Sequence, residues 1–198
     1  GAEYTHYSKP SNQLLKSTFE GVDWNFRTED RQTIDRWKVF AGQEHSLGSG
    51  WELNYGVDLE WARDESFQWY YDPATGQKIN VAGDGGFSSR LDEQSQNVYA
   101  GFSKAFSEKW QMDGSLAVEH FKNAAWNDWS VYPTLNLTWL PAAGHIVQLG
   151  LSSDKGYPDY WSLQSTTTHS NAYTEIVGNP SLRPKKEYQA ALSYILKS

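Results

Sequence analysis

The chain has 198 residues, with 17 Lys and Arg against 24 Asp and Glu, giving a formal net charge of −7. That acidic balance argues against a nucleic-acid partner, which wants a basic face, and the absence of Cys removes disulfides, thiolate metal sites and cysteine nucleophiles together. Ten Trp, twelve Tyr and eight Phe are present, yet no apolar run approaches the ~18–20 residues of a membrane helix; a membrane β-barrel stays open, because half of each barrel strand is polar.

The opening Gly1-Ala2-Glu3-Tyr4 has neither the basic start nor the apolar stretch of a signal peptide. A first strand is expected around residues 4–16, broken in pattern by Lys9-Pro10-Ser11-Asn12. Residues 16–26 read as a second strand, with Thr18, Val22, Trp24 and Phe26 on one face and Glu20 as the exception. Residues 28–38 are the only helical candidate, but they are mostly charged and show no 3.6-residue stripe.

Residues 51–61 carry the clearest signal. Trp51, Leu53, Tyr55, Val57, Leu59 and Trp61 alternate with Glu52, Asn54, Gly56, Asp58 and Glu60. Such alternation is a strand with one apolar and one wet face. Soluble strands usually run to about five or six residues, whereas barrel-spanning strands need about nine to eleven. Trp51 and Trp61 lie ten residues apart on one face, or roughly 33 Å at ~3.3 Å per residue. Tilted by ~40°, that projects to about 25 Å, the height of an apolar band between aromatic girdles.

Looser versions follow. Val98, Ala100, Phe102 and Phe106 share a face, and after Ser107-Glu108-Lys109 so do Trp110, Met112, Gly114, Leu116 and Val118. Leu135, Leu137 and Trp139 precede a turn at Pro141-Ala142-Ala143-Gly144, and Val147, Leu149 and Leu151 continue beyond it. Tyr188, Ala190, Leu192, Tyr194 and Leu196 finish the series in mid-pattern, so the sequence reads as a mature fragment. The expected fold is all-β: a long antiparallel meander forming part of an outer-membrane-type barrel, or a small closed one. Short turns alternate with long connections over residues 62–96 and 152–186, the asymmetry of outer-membrane barrels.

Catalysis finds little support. His6, His45, His120, His145 and His169 are scattered, with no short metal-ligand spacing and no nucleophile motif beside them. Asp58, Glu60, Asp113 and Glu119 alternate with lipid-type residues, which suits a wet lumen better than an acid–base pair. Gly83-Asp84-Gly85-Gly86 has no helix after it to make a phosphate site. No catalytic residue, cofactor or metal is therefore assigned. The ligand-contact candidates are Trp69, Tyr70, Tyr71, Phe87, Tyr157 and Trp161, with Phe67 and Tyr160 beside them, because flat rings on polar loops can stack on sugars or other extracellular solutes.

The strongest local motif is Gly178-Asn179-Pro180-Ser181-Leu182-Arg183-Pro184-Lys185-Lys186-Glu187. Its two prolines fix φ and deliver the chain stiff and extended to the last strand. The motif resembles the GNPxLxPE element of the TonB-dependent receptor barrels, the outer-membrane β-barrel family common in Bacteroidetes, with Lys185-Lys186 ahead of the Glu. Tyr99-Ala100-Gly101-Phe102, Gly114–Glu119 (with Ala117 where Arg is usual), Val131–Leu137 and Ser152–Leu163 resemble further segments of that family in the same order, though Gly156-Tyr157-Pro158 replaces an Arg-Pro. The resemblance implies one barrel region over residues 1–198, a fragment of a larger receptor without its signal peptide and plug domain. It implies an outer membrane as the location and membrane lipid, an extracellular small solute or glycan, and the TonB complex (through the parent protein) as partners. Uptake of a scarce nutrient is the implied function, with no enzymatic step. A soluble β-sandwich that binds carbohydrate is the rival reading. The last strand, with no Pro or inward charge to blunt its edge, is expected to self-associate.

Overall fold

The computed structural model describes residues 1–19, 21–81, 85–163, 167–171 and 174–197. Glu20, Gly83 and Asp84, and the side chains of Val22, Trp161 and His169, lie outside the described residues. The strands are β1 (Ala2–Phe19), β2 (Val22–Ser46), β3 (Trp51–Tyr71), β4 (Gly86–Ser107), β5 (Trp110–Lys122), β6 (Asn127–Trp139), β7 (His145–Gly156), β8 (Thr167–Asn171), β9 (Thr174–Val177) and β10 (Lys185–Leu196). Eight of them form one sheet in the order β1-β2-β3-β4-β5-β6-β7-β10, antiparallel at every step, while β8 and β9 make a separate hairpin. A sandwich needs two facing sheets. Among the described residues the large sheet has only a two-stranded hairpin beside it, so the soluble-sandwich reading falls.

The apolar rows expected from residues 51–61 run straight across the sheet. Val57 pairs with Val98, Val98 with Val118, and Val118 with Val131. Leu53 pairs with Phe102, Phe102 with Gly114, and Gly114 with Leu135. Period-two alternation puts all of these on one face, called outer here, and many of its large side chains are exposed. Aromatic rows bound it at both ends. At the short-turn end Trp110 stacks on Trp139 with ring centroids 5.1 Å apart, and Trp51 meets Phe102 at 5.9 Å. At the long-loop end Tyr4 meets Trp37 at 4.5 Å and His120 stacks on Trp129 at 4.7 Å. The ten-residue girdle spacing of Trp51 and Trp61 recurs between Trp129 and Trp139.

The inner face is polar and cross-linked. Asn97 donates to Asp58 at 3.4 Å, Lys38 lies 3.6 Å from the same carboxylate, Asn136 donates to Asp113 at 2.9 Å, and the Ser115 and Thr134 hydroxyls share a hydrogen bond at 2.8 Å. Tyr99 of β4 reaches across Gly56 of β3 to Gly42 of β2. A Cβ at Gly56 would stand 2.6 Å from the Tyr99 hydroxyl and 2.8 Å from its Cε1, and one at Gly42 3.0 Å from the hydroxyl. The glycine pair Gly42↔Gly56 thus leaves the room that the ring fills.

Four sequence expectations change. Residues 16–26 are not one strand: the chain reverses between Phe19 and Val22, and Gly21 takes φ 79°, which favours glycine. The two-residue turn flips parity, so Thr18 leaves the face of Trp24 and Phe26. Residues 28–38, the weak helical candidate, lie inside β2. The connection expected over 62–96 shrinks to residues 72–85, because β3 and β4 keep pairing well past Trp61. The reason is common to both: beyond the aromatic row Arg63 and Glu65 are as polar as Asp64 and Ser66, so both faces are wet and the apolar period vanishes while the ladder persists. Likewise β7 runs to Gly156, and the connection expected over 152–186 becomes residues 157–184, with β8 and β9 inside it. The tight turns at Ser107–Lys109 and Pro141–Gly144 stand as expected.

Candidate functional site

Burial concentrates on the inner face at the long-loop end, where the connections fold back over the sheet. Residues 79–81 lie on Tyr70: Val81 is buried with Phe26 and Tyr70, while Leu15, Trp24 and Ile79 pack around them. Leu163 from the other connection is buried with Phe121 and Trp126, beside Leu91. Both loops therefore cover the wet face.

Carboxylates from the wall hold the second loop in place. Glu119, only 1% exposed, sits on β5. It accepts hydrogen bonds from Ser95 Oγ at 2.8 Å, Tyr157 Oη at 2.7 Å and Tyr132 Oη at 3.4 Å, and it is ion-paired to Lys155. A buried carboxylate is tolerable because a cation and three hydroxyls take the place of water. The Tyr157 ring stacks on Phe121 with centroids 4.3 Å apart. One turn later Tyr160 donates to Glu93 at 3.0 Å, and Asn123 donates to the same carboxylate at 3.3 Å. Burial pushes the Glu93 carboxyl up, against the hydrogen bonds from Asn123 and Tyr160. Burial and the Glu93 charge push the Tyr160 hydroxyl up to about 12, and burial with the Glu119 hydrogen bond raises Tyr157 further. Asp64, also 1% exposed, is raised by burial while Gln32 donates to it at 2.6 Å and Ser66 at 3.1 Å.

The GNP motif closes this loop at its base. Asn179 donates its backbone N–H to the Ser162 carbonyl at 2.7 Å, and its side-chain oxygen accepts from the Ser181 N–H at 3.0 Å and hydroxyl at 2.6 Å. The turn Trp161–Leu163 is thereby tied to the stiff run that enters β10.

The aromatic candidates split into three groups. Phe67, Trp69, Tyr70 and Tyr71 lie on β3 and Phe87 on β4, not on loops. Tyr70, at 0% exposure, and Phe87 are buried on the inner side. Phe67 and Trp69 stack at 6.2 Å on the outer parity, Lys78 Nζ lies 3.3 Å from the Trp69 ring, and Arg27 lies 5.2 Å from the Tyr71 ring. Tyr157 and Tyr160 sit in the loop on the inner face, and the Trp161 backbone opens the turn beside them. Sequence reasoning placed Glu119 and Asp58 in a wet lumen but missed Glu93 and Asp64. Their signal was inward parity, continuing one and three residues past the aromatic row.

The described histidines take up ring contacts rather than a common centre. His45 stacks on Tyr55, His120 on Trp129, and His145 lies beside Tyr194. His6 bonds Asp35 at 2.8 Å. Among the described residues no three His, Asp or Glu side chains gather as a metal site.

The whole chain, residues 1–198, matches the outer membrane protein beta-barrel family. It belongs to that family. The outer membrane is its location, and an apolar band between aromatic rows is what a barrel wall of this kind presents to lipid. The fold recurs in the copper transporter OprC, with a TM-score of 0.58 and 14% identity, covering all of this chain and 33% of that one. It recurs also in the ferric enterobactin receptor PfeA, crystallised with BCV-L6, with a TM-score of 0.53, 14% identity, and coverage of 100% and 30%. The chain thus spans about a third of either protein's length. No curated protein matches the sequence.

Proposed function

We propose that the chain forms part of the wall and vestibule of a TonB-dependent receptor that takes a scarce solute across the outer membrane. The observation that carries this reading is the loop of Tyr157 and Tyr160, folded over the inner face and tied to wall carboxylates. A passage lined in this way can hold a solute by hydroxyls and rings and release it when the loop shifts. OprC is named for copper and PfeA for ferric enterobactin; a scarce solute of this kind suits a wall of the same build. Energy would come from the TonB complex engaging the parent protein, and the reading assigns the chain no catalytic step.

Tyr157, Tyr160 and Trp161 are the solute contacts in this reading; Tyr70 and Phe87 hold the rim together from within. The long-loop end faces outward. An epitope inserted near Gly85 in the full-length protein should bind antibody on intact cells, and binding only after the outer membrane is broken would invert the topology. Phe replacement at Tyr157 and Tyr160 together should lower solute uptake without lowering the amount of folded receptor. The chain expressed alone should self-associate through β10, whose Leu192 is 75% exposed. Light scattering that shows a monomer throughout a dilution series would refute that pairing.

A further inference from the structure

One seam of the wall is not laddered. β5 pairs with β6 as far as Asn127, and β7 pairs with β10 as far as Gly156, yet between β6 and β7 the ladder stops at Leu135↔Leu151. Continued upward, that register would set Pro133 opposite Ser153 and Val131 opposite Lys155. Pro133 is the reason that it stops. The carbonyls of Pro133, Val131 and Trp129 point toward β7, since they accept side chains from that side. A rung at Pro133 would also need an N–H for the Ser153 carbonyl, and proline has none. Trp129 lies six residues above Leu135, roughly 20 Å along the strand, so the seam starts inside the apolar band.

Side chains stand in for the missing rungs. Ser153 Oγ donates to the Pro133 carbonyl at 2.8 Å and Tyr188 Oη to that of Val131 at 3.0 Å. Lys186 Nζ donates to the Trp129 carbonyl at 3.3 Å and lies 3.4 Å from the Asp128 carboxylate. The Lys155 N–H, on the side that would have met β6, goes to the Asp154 carboxylate at 2.8 Å. A peptide carbonyl within an apolar band needs a donor, and these clasps supply one. They hold less firmly than a ladder, because each can be broken singly. Residues 152–156 and 185–189 meanwhile stay fully paired with each other. Among the described residues, side chains alone join this two-stranded piece to β6. Lys155 and Tyr157, at its tip, both bind Glu119 of β5.

We propose that the wall opens along this seam: the ends of β7 and β10 beyond Leu151 swing away from β6 as one flap, hinged on the Leu135↔Leu151 rung. Because Lys155 and Tyr157 ride on the flap, opening it withdraws both from Glu119 and uncovers the inner face there. The moving part is wall as well as loop, and the motion needs no bound solute, so it stands or falls apart from the uptake reading.

The test measures spin-label distances in the full-length protein, freed of any other cysteine and held in lipid vesicles; this chain brings no Cys of its own. One pair of labels, at Val131 on β6 and Lys185 on β10, spans the seam. A second pair, at Leu137 and Leu192, spans the same strands below the hinge. Wild type should show two distances for the first pair and one for the second. Ser153→Ala with Tyr188→Phe removes two clasps without touching Glu119, and should raise the longer-distance fraction about twofold or more. Pro133→Val returns the missing donor and should lower that fraction by a similar factor. The Leu137–Leu192 distance must stay fixed in every variant, which separates an open flap from a lost fold. A single Val131–Lys185 distance, unchanged in wild type and both folded variants, overturns the proposal. So does faster hydrogen exchange over residues 157–163 with that distance unmoved, since the loop would then move without the wall.

Discussion

Tyr157 and Glu119 stand 38 residues apart in sequence, and the phenol donates to the carboxylate at 2.7 Å. That bond joins a loop to a wall strand at the point where the strand leaves the aromatic row. Glu119 gathers four partners there, so its removal strands a lysine and three hydroxyls. Glu119→Ala should cost about 3–5 kcal/mol, the usual loss when one partner of a buried ion pair is deleted. Tyr157→Phe keeps the stack on Phe121 and loses one hydrogen bond to a charged group, about 1.5–3 kcal/mol. Hydrogen exchange over residues 157–163 is the check. Both variants should speed it, Glu119→Ala more; protection equal to wild type would refute the anchor.

The two faces of β3 should answer differently to the same substitution. Leu53→Arg or Val57→Arg on the outer face should cost roughly 2–4 kcal/mol near mid-bilayer, while Asn54→Arg on the wet face should cost far less. Denaturant titration of folding into lipid vesicles measures this. Equal costs on both faces would contradict the assignment of the lipid surface.

Burial raises the Glu93 carboxyl, so the folded rim holds that proton more tightly than the unfolded chain does. In the window just above the ordinary Glu value of about 4.5, the unfolded state has already released its proton while the folded state keeps it. Stability from this group is therefore greatest at the acid side and falls as pH rises through the raised value. Thermal unfolding of wild type against Glu93→Gln between pH 4 and pH 8 should show a smaller pH slope in the variant. Parallel curves would show that Glu93 does not titrate in that range.

Gly56→Ala should destabilise the wall by about 1–3 kcal/mol, as overpacking does. The added Cβ would meet the Ala41 carbonyl oxygen at 2.6 Å as well as the Tyr99 ring, and the backbone atom has nowhere to go. Combining it with Tyr99→Ala should recover part of the loss and no more. Full recovery would mean that the ring alone was in the way.

The membrane part of the fold was legible because the bilayer imposes a period. From Trp51 to Trp61, and again from Trp110 to Val118, one residue in two must be apolar, and both segments are strands with that face outward. The same rule explains the failures. Beyond Trp61 water wets both faces, so residues 62–71 and 28–38 carry no strand period although their ladder hydrogen bonds persist, and the sequence alone marks the first as connection and the second as no regular element. At residues 16–26 a two-residue turn hid inside what looked like one alternation. For the proposed site, ring content marks the long-loop end of the sheet, where Tyr157 and Tyr160 fold over the inner face. It could not sort Tyr70, which is sealed inside, from Trp69, its immediate neighbour, which faces out. Parity decides between them, and parity follows from strand boundaries that the pattern no longer marked.

The ladder between β2 and β3 continues from Trp37↔Trp61 to Arg27↔Tyr71 without a slip. Its two faces do unlike jobs, with Asp64, Ser66 and Tyr70 sealed on one side and Arg63, Phe67 and Trp69 displayed on the other. Inserting or deleting a single residue there would exchange the two sets wholesale, burying guanidinium and expelling Tyr70. This stretch of wall can therefore vary in identity but not in length. A change of length should be tolerated instead in the connections at residues 72–85 and 157–184, which the ladder of the large sheet does not include.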